Sequence, residues 1–412
     1  MNNQDAMTKT DPLLMEDYQE GDPFFFSSPQ GTLLAKGIHA ETTSSGGMEE
    51  GNGLLRQVDT LLDEARSSGH EDSVIVGAVP FDPQMPARLV VPKQVRWAEP
   101  QHFFASASDT PPLASIEAIR EVPPPSYYMH AVEQGLNLLQ AGELEKVVLS
   151  RIMQFTSAEP VRILPLLRNL VRHPSKGYVF AVDLPLSDSR VDGRGEGRRT
   201  LIGASPELLV SRSGGHVTAN PLAGSRPRSE DPMEDRRQAA ELLESTKDRY
   251  EHAFVVEAVS DALRPYCRKL EVPAAPSLAQ TETMWHLSTR VVGELKDSST
   301  SSLQLATALH PTPAICGTPT DLARASIRAL EPFDREFYTG MVGWMDAAGD
   351  GEWVVTIRYA EVEGRLLRLF AGAGIVPESI PDEELAETSA KFQTMLRAMG
   401  MDREPFEIDG RE

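Results

Sequence analysis

Cysteine and continuous apolar segments are both scarce in this chain. Its 412 residues include only Cys267 and Cys316, too few for a disulfide framework or a cysteine zinc site. The first thirty residues lack the basic start and the continuous apolar core of a signal peptide. The longest uncharged run, Ser298 to Thr320, is too rich in Ser, Thr and Pro to cross a bilayer. We therefore expect a cytoplasmic protein.

Positive charge is also scarce. The chain has 40 Lys and Arg residues against 61 Asp and Glu residues, which gives a formal net charge of −21 at pH 7. Such an excess of acid repels phosphate backbones and anionic lipid, so we expect neither nucleic acid nor a membrane surface as a partner. A small anionic substrate would need Lys, Arg or a metal ion close to it.

Hydrophobic residues make up 40% of the chain, enough for a substantial core. Residues 1–20 are polar and acidic without periodicity, which predicts a flexible tail. Beyond them, strand and helix patterns mix without strict alternation, which favours an α+β fold of stacked sheets over a doubly wound parallel sheet.

Several elements are predicted from local patterns. Helices are expected at Leu54–Ala65, Ala131–Ala141, Val161–Arg172 and Asp231–Tyr266, and from Pro381 onward. Strands are expected at Phe24–Phe26, Gly31–Leu34, Ser73–Val79, Lys146–Phe155, Gly177–Leu184 and Glu352–Tyr359. Asp109–Tyr128 is predicted to be a surface connector, Ser187–Arg199 an insertion, Glu363-Gly364 a hairpin turn, Leu222–Ser225 a turn, and Ala371–Gly374 the point where the chain leaves the sheet.

Two pairs of acidic residues occur at helical spacing. Asp248 and Glu251 are three residues apart on one predicted helix, and Glu384 and Glu387 are three apart on another. Each pair therefore lies on one helical face. If the two faces meet, the four carboxylates would repel one another unless a hard divalent cation such as Mg²⁺ lies between them. Solvated helix surface is the alternative.

Further ionisable residues lie in apolar segments. Lys146 and Glu207 could face a cleft that tunes their pKa values for acid and base chemistry, or could simply be strand-end charges. Arg358 could bind a carboxylate or pair with a structural acid. His286 has an alternative as a hydrogen-bonded core histidine.

In order along the chain, these segments resemble the chorismate-utilising enzymes, and among them the isochorismate synthases of the siderophore type. The segments that carry the resemblance are Gly142-Glu-Leu-Glu-Lys146-Val-Val-Leu-Ser-Arg, Gly203-Ala-Ser-Pro-Glu207-Leu-Leu, Pro221-Leu-Ala-Gly-Ser, Lys247-Asp-Arg-Tyr-Glu251-His, Glu331-Pro-Phe-Asp-Arg, Gly351-Glu-Trp-Val-Val-Thr-Ile-Arg358 and Arg368-Leu-Phe-Ala-Gly-Ala-Gly. Seven such segments in the right order make a specific signal.

The resemblance implies one large α+β domain of stacked mixed or antiparallel sheets ringed by helices, over residues 21–412, with the catalytic core in residues 130–400. It implies Lys146 as the base that activates water and Glu207 as the acid for the departing hydroxyl. It also implies that Glu251 and Glu387 bind Mg²⁺, with Asp248 and Glu384 acting mostly through water.

The resemblance further implies a set of residues that face chorismate. Lys391, Gly224 and Ser225 would face the ring carboxylate, Arg358 and Tyr338 the pyruvyl carboxylate, and His286 the ring. The remaining substrate-facing positions are Ala314, Ile357, Gly372 and Gly374.

Three related readings stay open at this point. Salicylate synthases resemble this chain at Tyr338, although they tend to have Thr where this chain has Ala314. The isochorismate synthases of menaquinone biosynthesis, and a silent binding homologue, are the others. No self-pairing motif is present, and we expect a monomer.

Overall fold

The computed structural model describes residues 14–42, 53–70, 73–100, 115–172, 177–184 and 198–401. The helices in these ranges are α1 (Gly53–Ser67), α2 (Pro125–Gln140), α3 (Ile163–Arg172), α4 (Pro232–Glu244), α5 (Thr246–Leu263), α6 (Ser302–Leu309), α7 (Thr320–Leu330) and α8 (Pro381–Ala398). None of these helices is both long and apolar enough to cross a bilayer.

The strands are β1 (Phe24–Ser28), β2 (Gly31–Glu41), β3 (Val74–Val79), β4 (Arg88–Ala98), β5 (Ile116–Val122), β6 (Lys146–Ser157), β7 (Tyr178–Leu184), β8 (Arg199–Ser205), β9 (Leu208–Ser213), β10 (His216–Asn220), β11 (Leu222–Pro227), β12 (Cys267–Glu271), β13 (Ser277–Gln280), β14 (Met284–Ser288), β15 (Val291–Leu295), β16 (Gly317–Thr318), β17 (Met341–Asp346), β18 (Gly351–Val355), β19 (Tyr359–Glu363) and β20 (Leu366–Ile375).

Most of these strands belong to one large sheet. Seventeen strands form it, while β11, β14 and β13 form a small separate sheet. The large sheet curls on itself, and helices pack around it, so the predicted α+β fold of sheets ringed by helices is confirmed. Every pairing between described strands is antiparallel.

The pairing of β6 with β20 organises the region that carries most of the predicted site. Ten residue pairs join the two strands, from Leu366 opposite Thr156 to Ile375 opposite Val147. Helix α8 follows β20 and packs against it with Phe392 and Met395 buried in the core. This arrangement places α8 beside β6 as well.

Several predicted elements are confirmed with small changes of boundary. The Phe24 and Gly31 segments pair as β1 and β2, and the turn at Gly364 joins β19 to β20. The Asp231–Tyr266 pattern is two helices, because Ser245 ends α4 and then caps α5 by accepting a hydrogen bond from the Asp248 N–H.

Two boundary predictions are wrong. Leu14 to Asp17 form a short 3-10 helix, and Leu14, Met15 and Tyr18 are buried in the core, so this part of the predicted tail belongs to the fold. The prediction of a flexible tail failed here because these few apolar residues stand among polar ones and show no periodicity in the sequence. Residues 1–13 lie outside the described residues.

The predicted connector Asp109–Tyr128 is also wrong in part. Strand β5 lies within it and pairs with β6, and Pro125 begins α2 because proline fits the first turn of a helix. Residues 101–114 lie outside the described residues, as do residues 185–197, which include most of the predicted insertion. The strands that flank that insertion, β7 and β8, are antiparallel neighbours.

Three predictions near the site are corrected by backbone geometry. Ala371 to Gly374 do not leave the sheet, since β20 continues to Ile375 along β6. Leu222 to Ser225 are not a turn but the start of β11, with a register shift at Gly224. The predicted strand Glu352–Tyr359 is broken after Val355, and Arg358 has a positive φ of 53°.

Candidate active site

The predicted site residues meet at one cleft. Thirteen of the sixteen line it, and the exceptions are Lys146, Asp248 and Glu384. The cleft holds about 650 Å³ of space between protein atoms, part of it open to solvent. Its walls come from β6, β11, β14 and β20, from helices α5 and α8, and from the segments around residues 314 and 338.

Lys146 lies directly behind the cleft wall. Its side chain is fully buried, and Nζ lies 2.7 Å from Oε1 of Glu251, which does line the cleft. The contact is close but not aligned as a hydrogen bond, and Nζ has no hydrogen-bond partner within the described ranges. A buried amine without an aligned acceptor is unusual in proteins and points to a functional role.

The glycine at position 374 makes this contact possible. A Cβ atom at Gly374 would lie 2.2 Å from Glu251 Oε1 and 2.8 Å from Lys146 Cε. Any larger residue would displace the ion pair. The small-residue segment on β20 therefore provides space for side chains from β6 and α5.

Glu207 occupies another part of the cleft wall. It is 3% exposed, just after the end of β8, and its Oε1 accepts a long hydrogen bond of 3.5 Å from the Leu222 N–H. Burial raises the pKa of its carboxyl to about 7, against the opposing effects of that N–H and of Lys146 and other nearby cations. A carboxyl with this pKa can carry a proton near neutral pH.

Arg358 and His286 lie together on another wall. Arg358 Nη1 donates a 3.3 Å hydrogen bond to the Lys391 carbonyl, and Nη2 lies 3.5 Å from His286 Nε2. Burial, and then the positive charges of Arg358 and Lys391, lower the pKa of His286 well below 6.5, so the imidazole is neutral. Burial likewise lowers the pKa of Arg358 to about 10, and the guanidinium stays charged at neutral pH.

Of the four acids on α5 and α8, two line the cleft and two lie outside its lining. Glu251 and Glu387 line the cleft, and Asp248 lies against Gly224, where a Cβ would be 2.9 Å from the Asp248 Cβ. Gly224 has a φ of +77°, which suits a glycine in this bulge.

Two of these acids, Asp248 and Glu384, have pKa values raised by burial and also by neighbouring carboxylates. Burial, and then the charge of Glu387, raise the pKa of Glu384 to about 7. Burial also raises the pKa of Asp248, with contributions from Glu251 and Glu387. Such repulsion is what a divalent cation would relieve. Among the described residues, no group of three or more His, Cys, Asp or Glu side chains forms a preformed metal-binding site.

Each of three acids is balanced by a lysine instead. The N–O distances are 2.7 Å for Lys146 and Glu251, 2.8 Å for Lys247 and Glu384, and 2.6 Å for Lys391 and Glu387. Lys391 Nζ also donates to the Gly372 carbonyl at 2.8 Å, and Ser225 Oγ donates to Glu387 Oε1 at 2.9 Å.

Sequence reasoning missed Lys247 as a member of the site. Its position directly before Asp248, in the Lys247-Asp-Arg-Tyr-Glu251 segment, was the available signal, but a lysine on a helix surface usually faces solvent. Sequence reasoning also gave no role to Glu331 and Arg335.

Comparisons of the sequence with known proteins match this chain to chorismate binding enzymes. The family model described as chorismate binding enzyme matches residues 89–400. The isochorismate synthase DhbC of Bacillus subtilis is 55% identical over 395 residues, which cover 96% of this chain and 97% of that protein. The vibriobactin-specific isochorismate synthase of Vibrio cholerae is 42% identical over 381 residues, covering 92% of each.

Solved structures of isochorismate synthases are similar to this chain as well. The crystal structure of a putative 2,3-dihydroxybenzoate-specific isochorismate synthase, DhbC from Bacillus anthracis, matches with a TM-score of 0.88 and 50% identity, over 94% of this chain and 99% of that one. The menaquinone-specific isochorismate synthase MenF of Escherichia coli, at 24% identity and a TM-score of 0.77, shares the fold. The chain therefore belongs to the family of chorismate binding enzymes.

Proposed function

We propose that this chain is an isochorismate synthase of the siderophore type, an isomerase that converts chorismate to isochorismate. Water adds at ring carbon 2, the hydroxyl at carbon 4 departs, and the double bonds between them shift. The observation that carries the proposal is that one cleft is lined by a buried carboxyl with a raised pKa and by one acid from each carboxylate pair, with a buried amine directly behind its wall. The 55% identity to DhbC of Bacillus subtilis supports it.

Glu207 is the proposed acid for the departing hydroxyl. Loss of hydroxide from carbon 4 needs a proton, and a carboxyl with a pKa of about 7 is about half protonated at neutral pH. Its burial supports this role, because a solvated glutamate would be ionised almost completely.

Lys146 is the proposed base for the attacking water. In its neutral form the amine can accept a proton from water as the oxygen bonds to carbon 2. Its buried position directly behind the cleft wall, beside Glu251 of the cleft lining, supports this assignment.

Mg²⁺ is the proposed cofactor, and the oxygen-only donor set of the four acids fits this hard cation. Glu251 and Glu387 would bind it directly, and Asp248 and Glu384 would act through water. When bound, the metal supplies positive charge that neutralises and orients the ring carboxylate.

The remaining residues would bind and orient chorismate. Lys391 and the backbone at Gly224 and Ser225 would face the ring carboxylate, while Arg358 and Tyr338 would take the pyruvyl carboxylate. Neutral His286 would lie near the ring, and Ala314, Ile357, Gly372 and Gly374 would form small or apolar wall around it. The buried Arg358 can form a strong charge-assisted contact because its charge persists in the cleft.

Product analysis tests the proposal. The pure protein is incubated with chorismate and Mg²⁺, and the products are separated by liquid chromatography. Isochorismate is the expected product. Salicylate together with pyruvate would instead establish a salicylate synthase, and intact chorismate binding without turnover would establish a silent homologue.

The use of the product in 2,3-dihydroxybenzoate and catechol siderophore biosynthesis is part of the same proposal. The relatives specific for vibriobactin and 2,3-dihydroxybenzoate support it over the menaquinone alternative. The monomeric state and the cytoplasmic location stay predictions.

A further inference from the structure

A buried ion pair lies beside the cleft without a role in the reaction as proposed above. Glu331 follows the last residue of α7, and Arg335 lies four residues later. Arg335 Nη2 lies 2.6 Å from Glu331 Oε1 and Nε lies 2.9 Å from Oε2, so the guanidinium grips the carboxylate with two hydrogen bonds. Both side chains are 2% exposed.

The pair connects two segments that form the cleft wall. Arg335 Nη2 donates to the Val148 carbonyl at 2.7 Å, and Nη1 donates to the Ile315 carbonyl at 2.8 Å. Glu331 Oε1 accepts hydrogen bonds from the Ser150 N–H at 2.8 Å and the Ser150 hydroxyl at 2.7 Å. Val148 and Ile315 both line the cleft, so the pair ties β6 to the segment around residue 315.

Arg335 also holds a third wall segment. The Tyr338 N–H donates to the Arg335 carbonyl at 2.7 Å, and the Arg335 guanidinium carbon lies 5.6 Å from the centre of the Tyr338 ring. Arg335 Nη1 donates to Thr339 Oγ1 at 3.3 Å. Thr339 has a φ of 58°, a left-handed conformation that costs energy in a β-branched residue, and His310 Nε2 holds its carbonyl at 2.8 Å.

Stability alone is a poor explanation for this arrangement. Removing two charges from water is expensive, and buried ion pairs are often no better for stability than well-packed apolar residues. What they add over apolar packing is direction, since each hydrogen bond fixes one backbone group in place. Here the fixed groups belong to three segments that border the same cleft.

We infer that Glu331 and Arg335 are positioning residues that set the wall of the cleft receiving the enolpyruvyl end of the substrate. This inference rests on the proposed function, which assigns the pyruvyl carboxylate to Tyr338 and Arg358. The ion pair holds Tyr338, Thr339 and Ile315 at fixed positions relative to β6. The pyruvyl carboxylate itself forms and breaks no bond in the reaction, so misplacing the residues that bind it weakens binding more than it slows the chemical step.

The test compares Arg335→Lys with Arg212→Lys. Arg212 is a matched control, since it is 6% exposed and donates to Asp350 and to the carbonyls of Ala348 and Ser298, none of which lines the cleft. Lysine keeps the charge in both variants but loses the planar fork. Thermal unfolding of both variants is measured together with kcat and KM for chorismate.

We expect Arg335→Lys to raise KM about tenfold or more while kcat changes less than about threefold. Misplacing a binding group weakens the binding of the substrate and of the transition state by similar amounts. Arg212→Lys should leave both constants within about twofold of the parent, although both variants unfold at lower temperature. Unchanged constants in Arg335→Lys, or a fall in kcat at constant KM, would overturn the inference.

A second variant covers the case in which Arg335→Lys does not fold. Glu331→Gln keeps the shape of the side chain and an acceptor for the Ser150 N–H, and the same rise in KM is expected. The parent enzyme is assayed first. Absence of isochorismate from the parent rejects the proposed function, whereas an active parent with an unaffected Glu331→Gln variant rejects only the positioning role.

Discussion

Lys146 Nζ and Glu251 Oε1 stand 2.7 Å apart, although strand β6 and helix α5 supply them from distant parts of the chain. The contact places the proposed base directly against a proposed ligand of the metal. The proposed base and the proposed metal site would therefore lie in the same buried region.

Lys146→Ala should abolish turnover while chorismate still binds. Loss of a positioned base typically costs a factor of about 10² to 10⁴ in rate, and Lys146 has no assigned contact with the bound substrate. Turnover is followed by chromatography and binding by calorimetry. Lys93→Ala on the exposed part of β4 serves as the control and should keep full activity. Loss of chorismate binding in Lys146→Ala would contradict the assigned role.

The raised pKa of Glu207 predicts a pH dependence of activity. The acid form is required, and its fraction falls above a pKa of about 7, so kcat/KM should decrease about tenfold per pH unit well above that value. Glu207→Gln should lower turnover by a factor of about 10² to 10⁴. A kcat/KM that keeps rising from pH 7 to 9 would count against Glu207 as the acid.

Glu352 provides a matched control for this experiment. Burial also raises its carboxyl pKa to about 7, but it accepts a hydrogen bond from Ser28 Oγ and does not line the cleft. Glu352→Gln should therefore leave the pH profile of kcat/KM unchanged. Both folded pKa values exceed the ordinary 4.5, so each group's contribution to stability should decline as the pH rises from about 4.5 to about 7.

Lys247→Met should tighten Mg²⁺ binding. The Lys247 ammonium lies 2.8 Å from Glu384 Oε1, where it acts as an internal counter-ion for the acids. Without it the acids repel one another more, and a divalent cation gains more by binding. We expect a Kd for Mg²⁺ about tenfold lower by calorimetry, which corresponds to about 1.4 kcal/mol.

Two further variants serve as references for this measurement of Mg²⁺ affinity. Arg249→Met removes a positive charge from the exposed side of the same helix and should change the Kd for Mg²⁺ less than about twofold, because exposed charges are well screened. Glu387→Gln removes a charged ligand and should weaken binding. Equal Kd values in Lys247→Met and the parent enzyme would show that the lysine does not oppose the metal.

Gly374→Ala should impair the enzyme without unfolding it. The added Cβ would meet the carboxylate end of Glu251 and the side chain of Lys146, both of which can move aside, rather than rigid backbone. The displaced ion pair should lower both turnover and Mg²⁺ affinity, as measured by chromatography and calorimetry. Gly215→Ala, where the new Cβ meets nothing within 4 Å, is the control. Full activity in Gly374→Ala would show that the close approach is not needed.

Local patterns in the sequence predicted much of the fold. Apolar spacing identified α1 and the β1–β2 pair, and the i, i+3 spacing of the acids placed each pair on one helical face. The family resemblance supplied the site residues that meet at the cleft. These features depend on residues close together in the chain, whose spacing has the same meaning in any helix or strand.

The tertiary structure decided what depends on contacts between distant elements. Strand pairing with β6 keeps Ala371 to Gly374 in the sheet, where the local glycines predicted an exit. The break before Arg358 likewise had no local signal. Glu331 and Arg335 are only four residues apart, but their contacts with Ser150 and Val148 could not be predicted from nearby residues. Such contacts arise from strand register and packing across the whole domain, because the partner that stabilises each group lies far away in the sequence.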